Sequence, residues 1–143
     1  LDGVQDPGNV GAVVRVAAGL GAAGLLVGEG TAHPLGLKAL RASAGLALGV
    51  PFARASTPAI AEALTAAARP VWTLDLDGED VRGVSPPTED VCLVLGAEGR
   101  GVSAPASALA TRVVGIPLRG GVESLNVAVA AGIAVAHLVR PTP

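Results

Sequence analysis

Leu93-Val94-Leu95-Gly96-Ala97-Glu98-Gly99-Arg100-Gly101-Val102-Ser103 joins an apolar run to a loop with three glycines. The run from Val91 to Leu95 reads as a buried strand. The loop Gly96 to Gly101 leaves backbone N–H and C=O groups open and gives a flat ligand room to approach. An ordinary tight turn has similar glycine content. Glu98 and Arg100 make this one less ordinary, because strands of open α/β sheets line ligand crevices at their C-terminal ends.

Downstream the alternation continues, with a short helix near Ser103 to Ala110, a strand Val113 to Ile116, a loop Pro117 to Glu123 and a long helix from Ser124 to about Val139. Upstream, a helix runs from Asn9, a plausible N-cap after Asp6-Pro7-Gly8, to about Ala23. Leu25 to Val27 is a short strand, Pro34 to about Leu46 a second helix, and Val50 to Ala53 a strand weakened by Pro51. A third helix, capped by Thr57 with Pro58 at its first position, reaches about Ala68. Val71 to Leu74 is a strand, and the polar, proline-bearing stretch Asp75 to Asp90 reads as loop. Strands alternating with helices predict an α/β fold with a mainly parallel sheet and helices on both faces.

A chain of 143 residues, 50% apolar, suffices for one domain with a sizeable core. With one Trp, one Phe, no Tyr and no Met, that core is built from small side chains, which suits helices lying close on a sheet. The uncharged stretch Val16 to Gly28 is too short and too broken by glycine for a membrane helix. The lone Cys92 has no disulfide partner and reads as an inert buried thiol, pointing to a reducing compartment and a cytoplasmic protein. A formal net charge of −2 is not the footprint of an autonomous nucleic-acid binder. The abrupt opening Leu1-Asp2-Gly3 reads as that of an excised or trimmed domain.

Gly19-Leu20-Gly21-Ala22-Ala23-Gly24 has the glycine spacing of a dinucleotide fingerprint, which would suggest an oxidoreductase. Phosphate cradling needs strand, glycines, helix, whereas here a helix comes first, so helix termination is the preferred reading. His33 and His137 lack metal-ligand spacing and read as surface or helix-end residues; no metal is expected. Arg15, nearly two turns into an otherwise apolar helix, either points into a site or snorkels to solvent. Ser124 or a neighbour explains the start of the last helix, while Asn126 inside its first turn gains nothing locally.

Asn9-Val10-Gly11-Ala12-Val13-Val14-Arg15, the glycine-loop segment Leu93 to Ser103, and Ile116-Pro117-Leu118-Arg119-Gly120-Gly121-Val122-Glu123-Ser124-Leu125-Asn126-Val127-Ala128-Val129-Ala130 together resemble the three ordered motifs of SpoU-type (TrmH-like) RNA 2′-O-methyltransferases of the SPOUT superfamily. The intervening Leu37 to Gly45 is similar to that family's linking segment. Each motif alone is weak; three in this order and spacing are specific, and the resemblance spans nearly the whole chain. It implies a catalytic domain over residues 1–143, without the N-terminal RNA-binding domain many relatives carry. It further implies a C-terminal deep trefoil knot and a homodimer formed through the knot region and the last helix.

The implied activity is transfer of a methyl group from S-adenosylmethionine to a ribose 2′-hydroxyl of ribosomal or transfer RNA, without metal. The implied donor contacts, chiefly backbone, fall at Leu95, Gly96, Ile116, Pro117, Leu118 and Leu125. The implied polar set is Asn9, Arg15, Glu98, Ser124 and Asn126, with Arg15 carrying the chemistry. Guanidinium stays protonated, so its role is electrostatic: it stabilises the developing alkoxide and holds a phosphate. Asn9 and Asn126 would orient Arg15 and the ribose, Glu98 would anchor that network, and Ser124 would bond near the donor. Ala97, Leu118 and Ala128 stand where the family more often has Asn, Met and Ser. A different class of protein, a non-catalytic dimerising or RNA-docking module of the same fold, is the alternative; the intact polar set argues against it.

Overall fold

The computed structural model describes residues 1–139. Helix α1 (Pro7–Leu20) is capped by Asp6, whose carboxylate accepts from the Gly8 and Asn9 amides. The cap therefore lies three residues before Asn9, because proline is welcome at the first helical position and Asp6-Pro7 supplies both parts. Gly21, at φ 80°, ends the helix in the left-handed region as the glycine run suggested, and strand β1 (Leu25–Val27) follows.

Helix α2 (Leu37–Ala42) is much shorter than the Pro34 to Leu46 expected. The Ser43 hydroxyl bonds back to the Leu40 carbonyl and accepts from the Ala47 amide, and Ala44 and Gly45 take positive φ, so the chain turns into a 3₁₀ segment, Leu46–Leu48. Pro51 stays outside strand β2 (Phe52–Arg54), where its carbonyl accepts from the Leu25 amide. Ser56 rather than Thr57 caps α3 (Thr57–Ala66). Strand β3 (Val71–Asp80) runs six residues past its expected end at Leu74, into the stretch read as loop. Strand β4 (Cys92–Val94), the single turn α4 (Ala104–Ser107) and strand β5 (Arg112–Gly115) follow in the expected order. Helix α5 (Val127–Leu138) is capped by Asn126, which is thus outside the first turn, and not by Ser124.

Every strand pairing is parallel: β1 with β2, and β3 with β4 on one side and β5 on the other. Leu1 and Asp2 stitch the two sets together. The Leu1 carbonyl accepts from the Gly28 amide at 2.8 Å, and the Asp2 amide donates to the Leu95 carbonyl at 2.9 Å.

Helices α1, α2 and α5 pack together, with Val10, Val13 and Val14 meeting Val127, Ala128 and Ala131 over Leu95. A second cluster joins Trp72, Val81, Val84 and Val114 to Ala134 and Leu138. Small residues set the spacing: a Cβ on Gly11 would lie 2.2 Å from the Ala39 carbonyl oxygen of α2. Among the described residues no helix is long and apolar enough to cross a membrane.

Candidate active site

Beyond β4 the chain passes the buried Leu95 and closes on itself, Ala97 and Gly101 exchanging backbone hydrogen bonds of 3.0 and 2.8 Å. Gly96 lies so close under this loop that a Cβ would stand 2.1 Å from the Gly101 carbonyl carbon. The closed loop projects Glu98 towards the starts of α1 and α5. Glu98 Oε1 accepts from Asn9 Nδ2 at 2.9 Å and from Asn126 Nδ2 at 3.1 Å, and Asn126 Nδ2 also donates to Asn9 Oδ1 at 2.9 Å. Asn126 Oδ1 faces the other way and accepts from the Ala128 and Val129 amides. A carboxylate only accepts, so both amide groups are fixed with Nδ2 towards Glu98. Three segments distant in sequence thus meet in one polar knot of side chains.

Beside it, at the carboxyl ends of β3, β4 and β5, opens a cleft of about 450 Å³. Of the predicted donor-binding residues, Leu95, Gly96, Ile116, Leu118 and Leu125 line it and Pro117 does not. Glu98 and the exposed Ser124 also line it. Asp75, Leu76, Arg100 and Glu123 are also in its wall. Arg100 and Glu123 lay within the singled-out motifs without being chosen. Asp75 and Leu76 carried no signal, since they fall in a stretch whose polarity reads as loop. Its size suits a small organic ligand, for which pockets of roughly 300–1,000 Å³ are usual.

Arg15 is not part of this assembly. It is exposed, makes no hydrogen bond or ion pair among the described residues, and lines no part of the cleft. Six residues along a helix is about 600°, which sets Arg15 roughly 120° around α1 from Asn9. Its neighbour Val16 faces α5 at Gly132.

A larger cavity, about 590 Å³, opens between β1 and β4 below Leu1, walled mainly by aliphatic side chains of α1, α3, α4 and α5. Leu95 is the one predicted site residue that reaches it. Cys92 also lines it, and burial pushes that thiol's pKa up, as expected of an inert cysteine. His33 is exposed, its Nδ1 accepting from the Leu35 amide, and His137 in the last turn of α5 meets the Val84 carbonyl; neither is near the cleft lining.

Parallel strands ending in a glycine loop beside a small-molecule cleft define an α/β ligand-binding domain. The sequence model of the SpoU rRNA Methylase family matches residues 1–136, and the chain belongs to that family. It is 37% identical over 138 residues to the 23S rRNA (guanosine(2553)-2′-O)-methyltransferase RlmP of Bacillus subtilis, covering 96% of this chain and 56% of that protein. It is similar in structure to an AdoMet-bound rRNA methyltransferase from Sinorhizobium meliloti, with TM-score 0.90 and 33% identity over 96% of this chain and 53% of the other. The SpoU methyltransferase AviRb of Streptomyces viridochromogenes, in complex with AdoMet, gives TM-score 0.84 and 32% identity over 96% and 57%. The chain thus spans about half the length of the curated relatives it matches.

Proposed function

We propose that residues 1–143 form the catalytic domain of a methyltransferase that uses S-adenosylmethionine to methylate a ribose 2′-hydroxyl of ribosomal or transfer RNA. The observation that carries this is the Asn9–Glu98–Asn126 tie on the rim of a glycine-walled cleft, built from the three motif segments. The named relatives include a 2′-O-methyltransferase and two AdoMet-bound structures, which supports the donor and the reaction class.

The cleft fits that donor in size and in kind. Gly96, tucked under the Gly101 backbone, lines it without a side chain, Ile116 and Leu118 offer apolar walls for a purine, and Leu125 lines it just before α5. When bound, the donor supplies an electrophilic sulfonium methyl group. Glu98, held by two amides, is a fixed acceptor for a ribose hydroxyl or for a water that takes its proton. Asn9 and Asn126 hold the rim in place, and Ser124 Oγ is free among the described residues to bond donor or ribose. Positioning of this kind supplies much of the rate of a two-substrate transfer.

Arg15 keeps its electrostatic role in this reading, acting on the cleft of a second copy. Its own cleft does not include it, while Val129 and Ile133 leave an apolar strip exposed on α5, whose neighbour is α1. Two-fold pairing through α5 and the knotted C-terminal region would carry each Arg15 to its partner's site. A cytoplasmic location is compatible with an RNA substrate of this kind. Arg15→Ala is expected to abolish methyl transfer and to leave donor affinity, read by titration calorimetry, within about threefold, since Arg15 faces the ribose and not the donor. A variant with wild-type turnover on its RNA would remove Arg15 from the mechanism. A protein that binds the donor yet methylates no RNA would instead be a docking module.

A further inference from the structure

We propose that Asp75 is the counter-charge by which this cleft prefers the positively charged sulfonium donor over the neutral thioether that remains after transfer. The inference rests on reading the cleft as the donor site, and concerns a residue outside the three motifs.

The backbone puts Asp75 there by an irregularity. Leu74 and Glu79 both register with Val114 of β5, so residues 75–78 leave the ladder and bulge out at its carboxyl end. Bulges re-aim side chains and recur beside active sites. Here the bulge brings Asp75 and Leu76 to the cleft wall, across from the loop that follows β4. The Asp75 carboxylate stands beside that loop, its Oδ2 3.8 Å from where a Cβ on Gly101 would be. Because residue 101 is glycine, nothing of its own covers the carboxylate there.

That carboxylate is also uncommitted. The ion pairs among the described residues lie elsewhere, joining Lys38 to Asp6, Arg69 to Asp90, Arg82 to Asp80 and Arg112 to Glu79. Glu98 already accepts from two amides at Oε1, whereas no side-chain hydrogen bond among the described residues reaches Asp75. The cleft presents three carboxylates, Asp75, Glu98 and Glu123, against one guanidinium, Arg100. A cationic ligand is therefore favoured in it, and Asp75 is the acid that β3 sets against the glycine loop, beside Gly101.

The reaction supplies the difference to be read. The methyl carbon forms its new bond to the ribose oxygen, the sulfur keeps the electron pair of the broken C–S bond, and the hydroxyl proton leaves to an acceptor. The ligand thereby loses its sulfonium charge in the cleft. A carboxylate nearby attracts the ligand more before the step than after it, so it strengthens donor binding and leaves product binding nearly unchanged. It does not lower the barrier, since it stabilises the sulfonium ground state at least as well as the transition state.

Calorimetric titration of wild-type protein and Asp75→Asn with S-adenosylmethionine and with S-adenosylhomocysteine tests this. Asp75→Asn should weaken donor binding about three- to tenfold, as expected for one charge pair in a half-open cleft, and move product binding less than about twofold. Asp75→Glu should restore the preference, and added salt should erode it in the wild type. Equal weakening of both ligands would make Asp75 a wall and overturn the proposal, as would no change in either. A wild-type protein that binds neither ligand would instead remove the donor reading of the cleft itself.

Discussion

Asn126 acts through both ends of its amide: Oδ1 caps α5 while Nδ2 ties Glu98 to Asn9. The two roles separate by substitution. Asn126→Ser keeps a capping oxygen and loses the amide donors, so its stability should fall by less than about 1 kcal/mol, whereas Asn126→Ala should lose about 1 kcal/mol or more. Both should lose methyl transfer by at least about tenfold, because Glu98 and Asn9 are set loose. Denaturant melts paired with a methylation assay check this, and a fully active Asn126→Ser would sink the role given to the tie. Asp6 offers a second test. The Lys38 ammonium, and after it the Gly8 amide, hold its carboxyl below the ordinary value of 3.8. A depressed folded-state pKa stabilises fully above the unfolded value and is lost as pH falls through the folded one. The stability of wild type over Asp6→Asn should therefore be constant near neutrality and shrink below about pH 3.8; a difference independent of pH would rule out the charge as its source. At this scale the sequence was readable in part. Asn126 stood out as a polar residue with little local reason to be where it is, and Glu98 as a charge at a strand's carboxyl end, whereas Asn9 had a ready reading as a helix cap. The cap at Asp6 was overlooked because Asn9 competed with it.

The elements were legible where local chemistry settles them and illegible where pairing does. The glycines after α1 were read as its end, and short continuous apolar runs found β1 and β4. The α2 segment misled, since alanine-rich composition favours helix while one serine hydroxyl and two left-handed residues stop it. Strand β3 misled in the opposite direction. Asp75 to Asp80 have the polarity of a loop, yet backbone pairing with β5 needs no apolar side chain, and after the bulge it resumes. Gly11 is where element packing can be tested. Its missing Cβ lets α1 approach the Ala39 carbonyl, and the neighbouring Ala42 methyl would stand 2.7 Å from an added carbon. Gly11→Ala gains helix propensity worth about 1 kcal/mol, but backbone must move to admit it, at about 1–3 kcal/mol or more. We expect net destabilisation in thermal melts, together with loss of donor binding as Asn9 shifts with α1. A stabilised variant would show that the two helices part without consequence.

At the scale of the molecule, what periodicity could not supply is the meeting of residues 9, 98 and 126, because contacts over such separations follow from topology. The family resemblance supplied it, and the hydrogen bonds join those same three side chains. Arg15 alone of the expected polar set stands apart, and the catalytic role proposed for it therefore requires the proposed two-fold pairing. If each cleft is completed by the partner's Arg15, a chain with Arg15→Ala and a chain with Asn126→Ala are inactive for complementary reasons. In a mixed dimer one cleft has its own Asn126 and receives an intact Arg15, while the other lacks both. Equal mixing by co-expression makes about half of the dimers mixed, and each of these has one working cleft of two, so about a quarter of wild-type activity should return. Were Arg15 to serve the cleft of its own chain, both clefts of every mixed dimer would be defective and nothing would return. Glutamate at Val129 and Ile133 in both chains, which charges the exposed strip of α5, should abolish the recovered activity and yield monomers in sedimentation. Dimers and recovered activity that survived these charges would exclude α5 as the pairing surface.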